Sequence, residues 1–323
     1  MLKLTGKNIM ITGGAGFIGS YLAERIAKEN PNKIVILDNL FLGKEENLDT
    51  TKSLFPNLIF LKINCTNYES MRTIIIGEKI DIVFNLATIP LPTSLIKPKW
   101  SSDVNILMVT TMCELLREGF YKTLIHYSSS EAYGSAHFIP MHEDHPINPE
   151  TPYAASKVSG DYIIMSYINT FGIDASIIRP FNNYGPRQNK GEYAAIIPIV
   201  INKIIKGEPI IIYGDGEQTR DFIFVKDTVD ATIRIYEEEK TRGKIINIAS
   251  GVETSMNNLI HKIISLMKSD IEILHGKSRP GDVRRHCADV SLAQNLIGFK
   301  PKILSDKNLE ETIEYYLQTK KEN

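Results

Sequence analysis

Tyr153-Ala-Ala-Ser-Lys157 places a phenol and an ammonium four residues apart, and so on one face of a helix that begins after Pro152. A cation next to a phenol favours the phenolate, so this tyrosine is expected to accept a proton well below the usual value of about 10. Taken alone, the spacing more often marks an exposed helix face. Upstream, Ser128-Ser-Ser-Glu-Ala-Tyr-Gly134 sets hydroxyls and one carboxylate just past an apolar run, where an open parallel sheet binds its ligands. Ser129 is expected to hydrogen-bond a substrate oxygen and to assist proton transfer to Tyr153. The plainer alternative, that the serines cap the next turn, suits one of them better than three.

A second constellation lies at the N-terminus. Thr12-Gly13-Gly14-Ala15-Gly16-Phe17-Ile18-Gly19 has glycines at the first, fourth and seventh places between an apolar run and a stretch of helical periodicity. Positions without side chains let the backbone approach a pyrophosphate, whose charge then sits at a helix N-terminus. Asp38 closes the next apolar run about twenty residues on, where a carboxylate accepts from adenosine ribose hydroxyls and repels a 2′-phosphate, favouring NAD over NADP. A glycine turn that serves only helix packing is the alternative. Asn64, ending a third run, suits the adenine amino group and, nearly as well, a helix cap.

The elements that must position these groups alternate. Strand runs at 8–12, 33–38, 58–63, 80–85 and 123–128 are separated by helical segments, which predicts βαβ crossovers and a parallel sheet covered on both faces. A further strand is expected at 175–179. Pro180 to Gly191 then reads as loop. Beyond it come a helix over 196–206, a strand at 210–213, a helix over 227–239, a strand at 244–248 and a helix over 255–267. The predicted class is α/β: a Rossmann-type doubly wound parallel sheet over 1–178, with segments near 222–250 returning to it, and a smaller α/β substrate-binding domain over 179–323.

Lysine and arginine total 37 against 38 for aspartate and glutamate, a net charge of -1. No excess positive charge awaits a phosphate backbone or an anionic membrane, so neither nucleic acid nor membrane is expected as a partner. Three scattered cysteines without a CxxC pair, and an N-terminus lacking a signal-peptide pattern, are those expected of a cytoplasmic chain. Met141-His-Glu-Asp-His145 lacks the i, i+4 histidines of a metal helix and is followed by Pro146, so no metal is expected.

These motifs, with Asp38-Asn-Leu, Arg179-Pro-Phe-Asn-Asn-Tyr-Gly-Pro186, Tyr213-Gly-Asp-Gly216, Arg220-Asp221 and Arg279-Pro-Gly-Asp282, stand in one order along nearly the whole chain. The chain resembles the extended short-chain dehydrogenase/reductase family, specifically its nucleotide-sugar epimerases and dehydratases. The resemblance implies that Tyr153 takes the proton of a sugar C4 hydroxyl while hydride passes to NAD, that Ser129 bonds the oxygen, and that Lys157 holds the nicotinamide ribose. Matching adds Phe17, Ile18, Asn39, Cys65, Leu86, Ala87 and Asn105 to the cofactor site. It assigns Asn182 and Arg220 to the diphosphate, Tyr213 to the base and Arg279 to a phosphate, with Ser94, Ile197 and Asp282 also at the substrate. The segments 88–98 and 185–197 should form much of the pocket. A homodimer through helices near 102–118 and 153–170 is implied as well.

The reaction after C4 oxidation divides three ways. Gly191-Glu-Tyr-Ala-Ala-Ile-Ile-Pro198 is similar to the corresponding segment of UDP-N-acetylhexosamine epimerases and favours a UDP-sugar 4-epimerase. Glu131 stands where 4,6-dehydratases and decarboxylases keep an acid, the C5 base of a dehydratase. Ser130 replaces the aspartate that serves as C6 acid in the dTDP-glucose group, although dehydratases of the GDP-mannose type carry a serine there, and a structural Glu131 tied to a backbone amide is the alternative. Tyr153-Ala-Ala-Ser-Lys-Val158 departs from the Tyr-Asp-Glu-Gly-Lys-Arg of UDP-glucuronate decarboxylases. A net C4 dehydrogenase is third. A non-catalytic NAD sensor is the other class, against which the retained Ser129, Tyr153 and Lys157 argue.

Overall fold

The computed structural model describes residues 2–189, 191–277 and 283–321. Seven strands form one all-parallel sheet: β1 (Asn8–Thr12), β2 (Lys33–Asp38), β3 (Leu58–Lys62), β4 (Ile82–Asn85), β5 (Thr123–Tyr127), β6 (Ala175–Pro180) and, after three strands that lie elsewhere, β10 (Ile245–Ile248). The order is β10-β6-β5-β4-β1-β2-β3. The chain runs outward from β1 through β2 to β3, then crosses back so that β4 pairs with β1, Thr12 lying opposite both Leu37 and Asn85. That reversal opens the crevice between the carboxyl ends of β1 and β4.

Strand alternation explains why both faces are covered. Ile9, Ile11, Ile34 and Ile36 point into one core with the Phe17–Ala27 and Val225–Glu237 helices, while Met10, Val35 and Leu37 point into the other with the Tyr68–Gly77, Pro98–Arg117 and Pro152–Phe171 helices. At about 25 cal/mol per Å² of apolar surface, each fully buried Ile or Leu contributes roughly 1.5–3 kcal/mol. Cys65, Cys113 and Cys287 are buried and unpaired. Among the described residues no helix is long and apolar enough to cross a membrane.

The smaller region contains β7 (Asn182–Tyr184), β8 (Ile210–Tyr213), β9 (Thr219–Phe224), β11 (Glu253–Ser255) and β12 (Ile273–Gly276), with helices Ile196–Lys206, Met256–Leu266 and Asp306–Lys321. Its core is separate and gathers Tyr184, Ile197, Ile201, Phe222, Phe224 and Leu259. β7 falls in the stretch that reads as loop. Its two asparagines have little strand propensity, and the segment is extended because β9 pairs with it, Asn182 opposite Phe222.

A Cβ built at Gly19 lies 2.3 Å from the Gly13 carbonyl oxygen and 2.8 Å from Gly14 Cα, both backbone atoms. Gly19→Ala is therefore expected to force the first helix off the sheet at a cost of about 1–3 kcal/mol. It should lower the thermal midpoint, whereas Gly77→Ala, in a helix with open space around it, should leave the midpoint unchanged or raise it slightly.

Candidate active site

The glycine loop forms one end of a cavity of about 910 Å³ that runs from Gly13 to Tyr213. Gly13 has φ +68°, and a Cβ there would stand 2.8 Å from the Ala87 amide nitrogen. The strand-to-helix turn thus seats itself against the end of β4 only without a side chain. Gly16 is the N-cap of the Phe17–Ala27 helix and brings no side chain to cap it, so the turn presents backbone N–H groups as an anion site does. The Asp38 carboxylate is buried and accepts from the amides of Leu40 (2.8 Å) and Ala15 (3.1 Å). Burial raises its pKa and those two bonds oppose the rise. A carboxylate has about four acceptor sites, which leaves capacity for two ribose hydroxyls. Phe17, Ile18, Asn39, Asn64, Cys65, Leu86 and Ala87 line the same end. The Asn64 side chain accepts from Thr66 N at 3.1 Å, while the helix that follows is capped by Asn67. This cradle and its single acid fit NAD.

Midway along the cavity, Ser128, Ser129, Ser130, Glu131, Tyr153 and Lys157 form one wall. Thr151 caps the Pro152–Phe171 helix by accepting from Ala154 N, and Ser94 Oγ accepts from Tyr153 N at 3.2 Å. Ser129 caps the turn after β5, its Oγ accepting from Glu131 N at 3.2 Å. Burial pushes the Tyr153 phenol up to about 12, the opposite direction from the sequence expectation; the nearby Ser129 and Thr88 hydroxyls oppose the rise and the Glu131 charge adds to it. Burial likewise pushes the Lys157 ammonium down to about 8, against the Asp161 carboxylate, and Lys157 Nζ donates to the Tyr127 carbonyl at 2.6 Å. Beneath them, Thr12 Oγ1 donates to Asn85 Oδ1 (2.7 Å) and Asn85 Nδ2 meets His126 Nδ1 (3.1 Å), fixing the ends of β1, β4 and β5 together.

At the far end Asn182, Ile197, Tyr213 and Arg220 line the cavity. Asn182 Nδ2 is buried with no hydrogen-bond partner among the described residues, which suits a donor reserved for a ligand. Arg220 Nη1 donates to the Thr219 and Val283 carbonyls, at 2.8 and 2.6 Å, which fixes its direction. Two expected contacts stand behind the wall instead. Ser94 is buried against the start of the Tyr153 helix, and Asn105 clamps Ile89 through its N–H (2.7 Å) and carbonyl (3.1 Å) while donating to Ser156 (3.0 Å). Both orient lining residues rather than line the cavity. Arg279 and Asp282 lie outside the described residues. Of the segment 88–98, residues 88–92 reach the cavity; of 185–197, Gln188, Asn189 and residues 193–197 do.

Sequence reasoning missed Thr88 near Tyr153, and it missed an aromatic rim. Phe41 meets Trp100 edge-on and Tyr193 at a tilt, at 5.9 and 6.1 Å between centroids, and all three line the cavity. Aromatics in three separate segments carry no periodic signal that would join them. The His142 and His145 rings accept from backbone N–H groups of Asp144 and His137.

The family model described as GDP-mannose 4,6 dehydratase matches residues 10–312. The UDP-glucose 4-epimerase of Mycolicibacterium smegmatis is 32% identical over 309 residues, covering 95% of this chain and 97% of the relative. The structure of UDP-N-acetylglucosamine 4-epimerase from Methanobrevibacter ruminantium, in complex with UDP-N-acetylmuramic acid, superposes with TM-score 0.89 at 34% identity, covering 98% and 99% of the two chains. That of dTDP-glucose 4,6-dehydratase from Bacillus anthracis, in complex with NAD, gives 0.86 at 27% identity, with 98% of each covered. With glycine cradle, Asp38, Ser129, Tyr153 and Lys157 all lining one cavity, the chain belongs to the NAD-dependent nucleotide-sugar epimerases and dehydratases of the extended short-chain dehydrogenase/reductase family.

Proposed function

We propose that this enzyme, which acts with NAD at C4 of a nucleotide sugar, is a UDP-sugar 4-epimerase. NAD, when bound, would supply the hydride acceptor for the oxidation and, once reduced, the donor of that same hydride to the opposite face of C4. Tyr153 takes the C4 hydroxyl proton, Ser129 holds the same oxygen, and the Lys157 charge favours the phenolate. The 4-keto sugar turns over, and Tyr153 returns the proton as the alcohol re-forms on the other face. This cycle needs no acid beyond Tyr153.

The observation that carries the reading is the acid count of the wall. Asp38 and Glu131 are the carboxylates among the described residues that line the cavity, and Asp38 belongs to the glycine-loop end. One carboxylate thus lies near Tyr153, with Ser130 beside it. Elimination across C5 and C6 needs a base for the C5 proton and an acid for the departing hydroxyl. The epimerases named above, similar to this chain along their lengths, support the same choice. A 4,6-dehydratase is the second reading, favoured by Glu131 lying close enough to Tyr153 for its charge to act there.

We also propose a homodimer formed by the Pro98–Arg117 and Pro152–Phe171 helices, which pack on each other and expose Leu107 and Tyr162. Leu107→Glu with Tyr162→Glu should halve the mass seen by light scattering; an unchanged mass would remove this interface.

UDP-, GDP-, dTDP- and CDP-sugars incubated with enzyme in deuterated water should give, for a UDP-sugar, an isomer of unchanged mass. Tyr153→Phe should return the sugar unaltered. Loss of water with one deuterium at C5 would replace the epimerase reading with the dehydratase one.

The Glu131 charge raises the Tyr153 pKa, so its removal lowers that pKa and the phenolate is reached at lower pH. Glu131→Gln should keep turnover within about tenfold and move the acidic limb of the pH–rate profile to lower pH. A loss of about 10²–10⁴-fold, the usual worth of a general acid or base, would make Glu131 the dehydratase base.

A further inference from the structure

The Tyr153 helix carries a third ionisable side chain at the same interval, Asp161, so that Tyr153, Lys157 and Asp161 follow one another along one helix face. Lys157 is 5% exposed and Asp161 1%. Burial raises the Asp161 pKa, so a carboxylate at that depth stays ionised only if paired, and the partner that opposes the rise comes from β6. Arg179, 2% exposed, donates from Nε and Nη2 to Asp161 Oδ2 at 3.0 and 2.8 Å. Arg179 is in turn held over the Tyr133 ring, 4.7 Å from its centroid.

The surroundings of Lys157 leave its charge dependent on this pair. β5 offers the neutral Tyr127 carbonyl to Nζ, together with His126, which burial and Lys157 itself hold in the uncharged form. The turn after β5 brings Glu131, whose charge acts on Tyr153. β6 brings Arg179, a second cation. Among the described residues Asp161 is the carboxylate whose field supports the ammonium.

We propose that Asp161, kept ionised by Arg179, is a positioning residue that holds Lys157 protonated beside Tyr153 across the working pH range. This rests on the catalytic reading of Tyr153 and Lys157. With Asp161 present, Lys157 already lies near 8, and a nearby opposite charge is worth about 1–3 units. Without it, the amine at 157 loses its proton at lower pH and ceases there to favour the phenolate. A group that must stay protonated loses activity as pH rises through its pKa, so a lower pKa moves that loss to lower pH.

The test is the pH dependence of kcat/KM for C4 turnover. In Asp161→Asn the alkaline limb should move down by about one unit or more, while Asp161→Glu, which keeps the charge, should restore it. In Lys157→Arg the limb should vanish, because the guanidinium stays charged. An Asp161→Asn enzyme with the wild-type limb and only a lower thermal midpoint would make the pair merely structural and overturn the proposal. If Asp161→Asn does not fold, Lys157→Arg decides: a limb that persists there belongs to another group, and the proposal fails. Full turnover in Tyr153→Phe would instead overturn the catalytic reading on which it stands.

Discussion

The backbone contact between the glycine loop and the end of β4 is the constraint on which the rest of the molecule is arranged. β1 has neighbours on both sides, β2 and β4. The loop leaving β1 must pass over the loop leaving β4, and a Cβ at Gly13 would lie 2.8 Å from Ala87 N. Because that crossing is tight, the first helix starts at the crevice and the segment Leu86 to Pro92 is directed along the cavity wall. Thr12 reinforces the join from below, its Oγ1 accepting from Leu86 N and Ala87 N, both at 3.2 Å, while donating to Asn85. Cofactor and substrate ends therefore share one frame.

A second pressure is electrostatic. The wall that carries the chemistry is also part of the buried interior, and burial opposes the charged form of every group in it. Tyr153 is pushed up and Lys157 down, so burial disfavours the phenolate–ammonium couple that the proposed mechanism uses. Breaking a buried ion pair such as Arg179–Asp161 typically costs about 3–5 kcal/mol, and replacement by apolar groups is often neutral. Stability alone does not explain such a pair one helical turn from Lys157.

Seen from the sequence, the site was legible to the extent that its residues are neighbours in the chain. Gly13, Gly16 and Gly19 fall in one turn, and Tyr153 and Lys157 on one helix face. Ser94 and Asn105 are different. Their motif positions sit near the pocket, but Ser94 is turned to the helix that begins at Pro152 and Asn105 to Ile89 and Ser156. Motif matching gives a residue's place along the chain and carries no side-chain direction. The same holds for Thr88, whose hydroxyl acts on Tyr153 across segments that only the sheet brings together.

By itself, then, the sequence determined the strands of the large sheet and most of the helices between them, and that this sheet would be parallel. Periodicity of 2 or 3.6 and the absence of a side chain in a turn are local properties, written within a few residues. The tertiary structure alone decided the strand order, the pairing that makes Asn182–Tyr184 a strand, and the meeting of Arg179 with Asp161 beneath Lys157. Those depend on which distant surfaces bury one another, and burial is a property of the whole packed chain.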